Sequence, residues 1–407
     1  MTESGGKRMG QKLHFTKVAA GFLILTALIF LSPTASGMAQ ESTTGEQAAI
    51  QQETPNRPEI DAKAWSLLDA TTGTRLGGKN QEKEFATAST TKIMAALVVL
   101  EEGVDLQREV AVPVEAEEFV GLTYSNVGLI AGERLTVKDL LVASLVPSGT
   151  DAIYTLAYVV GDGSVDNFVE KMNEQAASMN LEHTKFDTPA GLDSSDNYSS
   201  ANDLAKMARA AMEYPVFNEI VTMTEPKINT DTREIQLYTT NSLLYLYPAA
   251  TGVKTGTSPD AGPSLVASAK DGGESYIAVV LGASEDQYRY LAAETILAYG
   301  FEDYERQPLV NKDEEFEKLE VPFRRDESVA LVAAEEVVGT NGPGLKVESK
   351  VETKELPAEA KAGQELGTVE AVVNGQKIGQ SPLVAKKGYE EASFWTKTWY
   401  RIRSIFD

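Results

Sequence analysis

Eight consecutive apolar residues, Ile93-Met94-Ala95-Ala96-Leu97-Val98-Val99-Leu100, constrain this chain more than any other stretch. As a helix the run is apolar on every side, and such a helix is stable only when other elements enclose it. The helix is predicted over 89–102, stopped by Gly103. A chain of 407 residues is long enough to enclose it and to form two domains. The same helix carries Ser89-Thr90-Thr91-Lys92 at its start. A lysine that opens a wholly apolar helix is poorly placed for water, although a solvated lysine after an N-terminal cap is the ordinary alternative.

Composition removes several chemistries. No cysteine occurs, which excludes disulfides, Cys-ligated zinc and thiol nucleophiles. Only His14 and His183 occur, too few for a His-rich metal site, so no metal and no organic cofactor is expected. A Ser-His-Asp triad through His183 stays open on composition alone. The net charge of -23 argues against nucleic acid as a partner, because phosphates would be repelled.

The chain divides into six stretches. Lys7, Arg8, Lys12 and Lys17 precede the apolar run 18–31 and then small residues, the layout of a secretory signal peptide over 1–39. The run is shorter than the ~20 residues that span a membrane, so export with cleavage after Gly37 or Ala39 is expected. Residues 40–56 lack apolar periodicity and read as a disordered leader. Residues 57–303 mix strand and helix signals: a strand over 64–69, helices over 135–146, 200–212 and 286–299, and a hairpin of 264–269 with 276–281. The charged stretch 304–315 reads as a linker. Residues 316–386 read as a small all-β domain, with an alternating strand around Leu345, Val347 and Val351 and a hairpin about Asn374-Gly375. In 387–407, Phe394, Trp395, Trp399, Ile402, Ile405 and Phe406 share one helical face, with Lys397, Arg403 and Ser404 away from its centre. That pattern suits a helix lying in a membrane interface, or one docked on its own domain or a second subunit.

Three motifs carry the chemistry. In Ser89-x-x-Lys92 the two side chains share a helical face, so the amine can reach the hydroxyl. A serine hydroxyl is a weak nucleophile until a neighbouring base takes its proton. A lysine becomes that base only when burial or nearby cations lower its pKa from ~10.4. Lys254-Thr255-Gly256-Thr257 offers a cation, hydroxyls and a glycine that lets a ligand approach the backbone. Lys254 is also placed to depress the Lys92 pKa. Each motif alone is weak.

Together, S-x-x-K followed by K-T-G resembles the serine penicillin-recognising enzymes. Ile60-Asp61-Ala62, His183-Thr184 with Phe186, Gly191-Leu192, the run 200–205 and Val266-Ala267-Ser268-Ala269 add to the likeness, which is to the D-alanyl-D-alanine carboxypeptidases (low-molecular-weight penicillin-binding proteins). The resemblance spans nearly the whole chain after the leader. It implies an α+β fold: a penicillin-binding/serine β-lactamase-like domain of antiparallel sheet, flanking helices and a helical subdomain, then the all-β domain and amphipathic helix. It also implies an enzyme at the outer face of the cytoplasmic membrane that removes the terminal D-alanine from peptidoglycan stems and is acylated by β-lactams.

Residue by residue, the resemblance makes Ser89 the nucleophile and Lys92 the general base. Ser148-Gly149-Thr150 takes the place of the family's S-x-N, with Ser148 as proton relay. Thr150 has a hydroxyl but no amide, a departure that bears on affinity and rate more than on reaction type. Lys254, Thr255, Gly256 and Thr257 would hold the substrate, and the N–H groups of Ser89 and Thr257 would form the oxyanion hole. Tyr124-Ser125-Asn126 mimics a second motif of related enzymes and is read as a loop; His183 is read as scaffold. The rival readings are a β-lactamase, a transpeptidase, and a wall-binding scaffold with a decayed site.

Overall fold

The computed structural model describes residues 58–403, apart from 122, 325 and 326. The expected signal peptide and the 40–56 leader lie outside them.

Five antiparallel strands form the central sheet, in the order Arg75–Lys79, Ala64–Asp69, Glu274–Leu281, Ser264–Asp271, Ala250–Gly256. Its inner strands are apolar on both faces because both are covered. Leu265, Ala267 and Ala269 pack with Ile296 and Leu297 of the helix Tyr288–Asp303, while Val266 joins a second core on the other face. That second core contains the run that opened the sequence analysis: Ile93 to Val99 of the helix Lys92–Glu101 are each at most 3% exposed. Enclosure on all sides is therefore realised, by the sheet and by the helices Val137–Leu145, Thr150–Val160, Val165–Ser178 and Ala201–Ala211.

Two elements differ from expectation near this helix and the hairpin. Residues 88–91 form a 3-10 turn rather than the first turn of the α-helix. Threonine hydroxyls compete for the local backbone there: Thr90 Oγ1 donates to Thr87 O at 2.7 Å, and the Thr87 and Thr91 hydroxyls meet at 2.8 Å. The hairpin ladder also runs on to Asp271 and Glu274, so its connection is only Gly272-Gly273.

The expected linker is a correction. Glu305–Val310 is a strand, paired antiparallel with Val337–Asn341. Its exposed Glu305 hides the signal, but Tyr304 is buried in the central sheet's core and Val310 in the β domain's core. The remaining β domain is a five-stranded antiparallel sheet in the order Glu315–Glu320, Ser328–Ala333, Gln376–Ala385, Glu365–Val373, Val347–Thr353. Buried hydrogen bonds join the central sheet to the two-stranded pair and to the residue that precedes it. Tyr304 donates to Leu76 O at 2.5 Å, and the Thr340 hydroxyl donates to the buried Asp69 carboxylate, which also accepts the N–H groups of Thr71 and Thr72.

The last described element is the helix Phe394–Arg403. Phe394, Trp395 and Trp399 are 73%, 78% and 67% exposed. No described helix is long and apolar enough to cross a membrane.

Candidate active site

The turn that carries Ser89 lies against the edge strand of the central sheet. Lys92, first residue of the buried helix, is itself fully buried, and its Nζ donates to Ser89 Oγ at 3.0 Å and to Thr150 Oγ1 at 3.4 Å. Burial lowers its pKa to about 7, against the opposing pull of the Asp151 carboxylate. Near neutrality a large fraction of Lys92 is thus an unprotonated amine, and the 3.0 Å contact then runs in reverse, with the serine hydroxyl donating.

Ala88 and Ser148 both hold positive φ, +44° and +67°. Non-glycine residues in the left-handed region cost energy and persist where the surroundings hold them, often at functional sites. Ser148 Oγ is buried and has no hydrogen-bond partner among the described residues. Thr150, two residues on, begins the helix Thr150–Val160, and its N–H donates to Ser125 O at 2.7 Å.

Lys254, Thr255 and Gly256 lie on the edge strand Ala250–Gly256. Lys254 is fully buried and donates to Thr255 O at 2.9 Å. Burial drives its pKa well below the ordinary value, and the charges of Lys92 and Arg289 add to the effect. Burial is the largest cause of the Lys92 shift, and the repulsion between Lys92 and Lys254 disfavours both being charged at once. Thr255 Oγ1 meets Thr240 Oγ1 at 2.7 Å. At Gly256 the strand presses on the turn that carries Ser89: a Cβ there would come within 2.7 Å of Thr87 O and 3.0 Å of the Thr90 methyl. Only glycine permits that approach.

Thr257 is exposed, and its hydroxyl accepts from Arg289 at 2.7 Å. Arg289 is a residue that sequence reasoning missed. It sits in the first turn of Tyr288–Asp303, is mostly buried, and also donates to Gly256 O at 3.3 Å and Tyr290 Oη at 2.9 Å. No motif marks it; it reaches the site through folding alone.

Of the residues singled out in the sequence, Ser89, Lys92 and Thr150 are joined by hydrogen bonds, and Gly256 touches the same turn. Ser148 adjoins them without a bond, and Thr257 is held by Arg289. The Tyr124–Asn126 stretch is a loop, as expected, and Asn126 Nδ2 is spent on Gly121 O and Tyr124 O at 2.7 and 2.8 Å. His183 lies elsewhere, its Nδ1 3.7 Å from Glu84 and its N–H donating to Asp203. Among the described residues, no group of His, Asp and Glu side chains could hold a metal.

Comparison with known proteins bears on the family and the fold. The D-alanyl-D-alanine carboxypeptidase peptidase family matches residues 51–285, and the penicillin-binding protein 5 C-terminal domain matches 304–391. D-alanyl-D-alanine carboxypeptidase DacF of Bacillus subtilis is 33% identical over 83% of this chain and 88% of its own length. DacC of Escherichia coli is likewise 33% identical, over 86% of this chain and 89% of its own. The crystal structure of the Streptomyces K15 DD-transpeptidase is 36% identical, covers 60% of this chain and 99% of its own, and superposes with a TM-score of 0.58. At 24% identity, DacD of Francisella tularensis shows the fold over 86% of this chain and 99% of its own, with a TM-score of 0.65. With its buried lysine on a serine hydroxyl and its C-terminal β domain, the chain belongs to the D-alanyl-D-alanine carboxypeptidase family of penicillin-binding proteins.

Proposed function

We propose that this chain removes the terminal D-alanine from peptidoglycan stem peptides through an acyl-enzyme on Ser89. The observation that carries the reading is the 3.0 Å contact between Ser89 Oγ and a fully buried Lys92 that titrates at about 7. Lys92 takes the hydroxyl proton as Ser89 Oγ bonds to the carbonyl carbon between the two D-alanines. The N–H groups of Ser89 and Thr257 receive the developing oxyanion. Ser148 and Lys254 return a proton to the departing amine, and the C–N bond breaks. Thr150 adds a hydroxyl beside Lys92; Thr255, Gly256 and Thr257 line the D-alanine carboxylate's place, with Arg289 supplying cationic charge behind Thr257. Water then releases the acyl group, and β-lactams acylate the same serine.

The test is D-alanine release from a peptide ending in D-Ala-D-Ala, with the penicillin adduct mapped by mass spectrometry. Release together with an adduct on the peptide containing Ser89 is the expected result. An adduct without release points to transfer onto an amine acceptor, and absence of both leaves a wall-binding scaffold.

We further propose export, with residues 1–39 as signal peptide, and peripheral attachment to the outer face of the cytoplasmic membrane. Support for attachment comes from the exposed Phe394, Trp395 and Trp399 on a helix that ends in Arg401 and Arg403. The full chain without residues 1–39 is expected to co-sediment with phospholipid vesicles. A Trp395→Asp, Trp399→Asp double variant is expected to stay in the supernatant, and equal sedimentation of the two proteins would overturn attachment through this helix.

A further inference from the structure

Asp151 follows directly on the Ser148–Thr150 motif, and none of the roles above uses it. It is wholly buried at the start of the helix Thr150–Val160. Its Oδ2 accepts the N–H groups of Val127 and Leu129 at 3.1 and 3.0 Å, and its Oδ1 accepts that of Ala152 at 3.0 Å. Thr150 N–H grips the same segment at Ser125 O. One short stretch of the helix therefore holds 125–129 at three points.

The second observation is the charge around Lys92. Lys254, held well below its ordinary pKa by burial and by the charges of Lys92 and Arg289, belongs to the same cluster of basic groups. The direct partners of Lys92 are the hydroxyls of Ser89 and Thr150, neither of which carries charge. Asp151 is the next residue after Thr150 and its carboxylate acts on Lys92; burial raises the Asp151 pKa, and the N–H groups of Leu129, Val127 and Ala152 oppose that rise by favouring the charged form. A buried ammonium formed beside further cations is costly without a nearby anion.

We propose that Asp151 is a positioning residue for acylation: its carboxylate holds the 125–129 segment beside the site and provides the negative charge against which Lys92 accepts the serine proton. The inference rests on Lys92 as the base. Without the charge, Lys92 is neutral over a wider pH range but is a weaker base, so two effects separate. The acid limb of acylation moves to lower pH, and the plateau falls.

The experiment measures second-order acylation by a fluorescent penicillin from pH 5 to 9 for wild type, Asp151→Asn and Asp151→Glu. The wild-type limb is expected at about 7. In Asp151→Asn it is expected roughly one pH unit lower, with a plateau reduced about 10-fold. Asp151→Glu keeps the charge while displacing it, so its limb is expected at the wild-type position. An Asp151→Asn limb at the wild-type pH, whatever its plateau, would overturn the charge role. If Asp151→Asn does not fold, Asp151→Ser, which keeps one acceptor, is read the same way; failure of both to fold reduces Asp151 to scaffold and also overturns the inference. A wild-type profile with no acid limb removes Lys92 as the base, an outcome distinct from an unmoved limb.

Discussion

Lys92→Met is expected to slow acylation about 10³-fold and, at pH 6, to make the protein more stable than wild type. On the proposed mechanism the rate loss is that of a general base removed from hydrogen-bond reach of the serine hydroxyl. The stability gain follows from linkage. The folded protein holds Lys92 with a pKa of about 7, while the unfolded chain holds it at 10.5. Between those values the unfolded state binds more protons, so stability rises with pH across that window. Below about 7 the penalty is fully present, on the order of 5 kcal/mol. Methionine fills similar space without that cost. Urea denaturation at pH 6 and at pH 9.5 checks the sign: the advantage of Lys92→Met is expected to be large at the first and to shrink at the second. An advantage that grows with pH would contradict a neutral buried lysine.

Gly191→Ala is expected to reduce acylation about 100-fold and to lower stability by about 3 kcal/mol. Gly191 has φ +78°, and a Cβ there would lie 1.9 Å from Ala88 O and 2.5 Å from Thr91 Oγ1. Neither the backbone carbonyl nor the neighbouring helix start yields cheaply, so the loop must withdraw from the nucleophile turn. The same loop is tied down on both sides: Thr188 Oγ1 accepts the N–H groups of Gly191 and Leu192 at 3.0 Å, and Asp193 accepts the Ser258 hydroxyl at 2.5 Å. Withdrawal therefore pulls on the residues that follow Thr257 as well. Penicillin acylation rates and thermal melting measure the two effects; wild-type acylation in a folded Gly191→Ala variant would show that the loop does not set the turn.

What the sequence made legible was what local pattern encodes. The apolar run 93–100 announced a buried helix, and its burial is what brings Lys92 to about 7. The Asn374-Gly375 turn announced a hairpin, and Glu365–Val373 pairs with Gln376–Ala385 around it. The misreadings have a common cause in polar residues whose partners are far along the chain. Glu305 and Arg306 looked like linker because strand pairing with Asn341 and Thr340 leaves no local trace. Arg289 carried no motif of its own, since it matters through groups on another element, Thr257 and Gly256.

The hydrogen bonds from Tyr304 to Leu76 and from Thr340 to Asp69 bear on how freely such domains could be exchanged between relatives. Each bond satisfies a polar group that the interface keeps from water, so a replacement domain that closes the interface without the matching partner strands a buried donor or acceptor. A β domain transplanted from another member would need a hydroxyl opposite Asp69 and a phenol opposite Leu76. The two domains are modular as stretches of sequence, yet thermodynamically each has been fitted to the other.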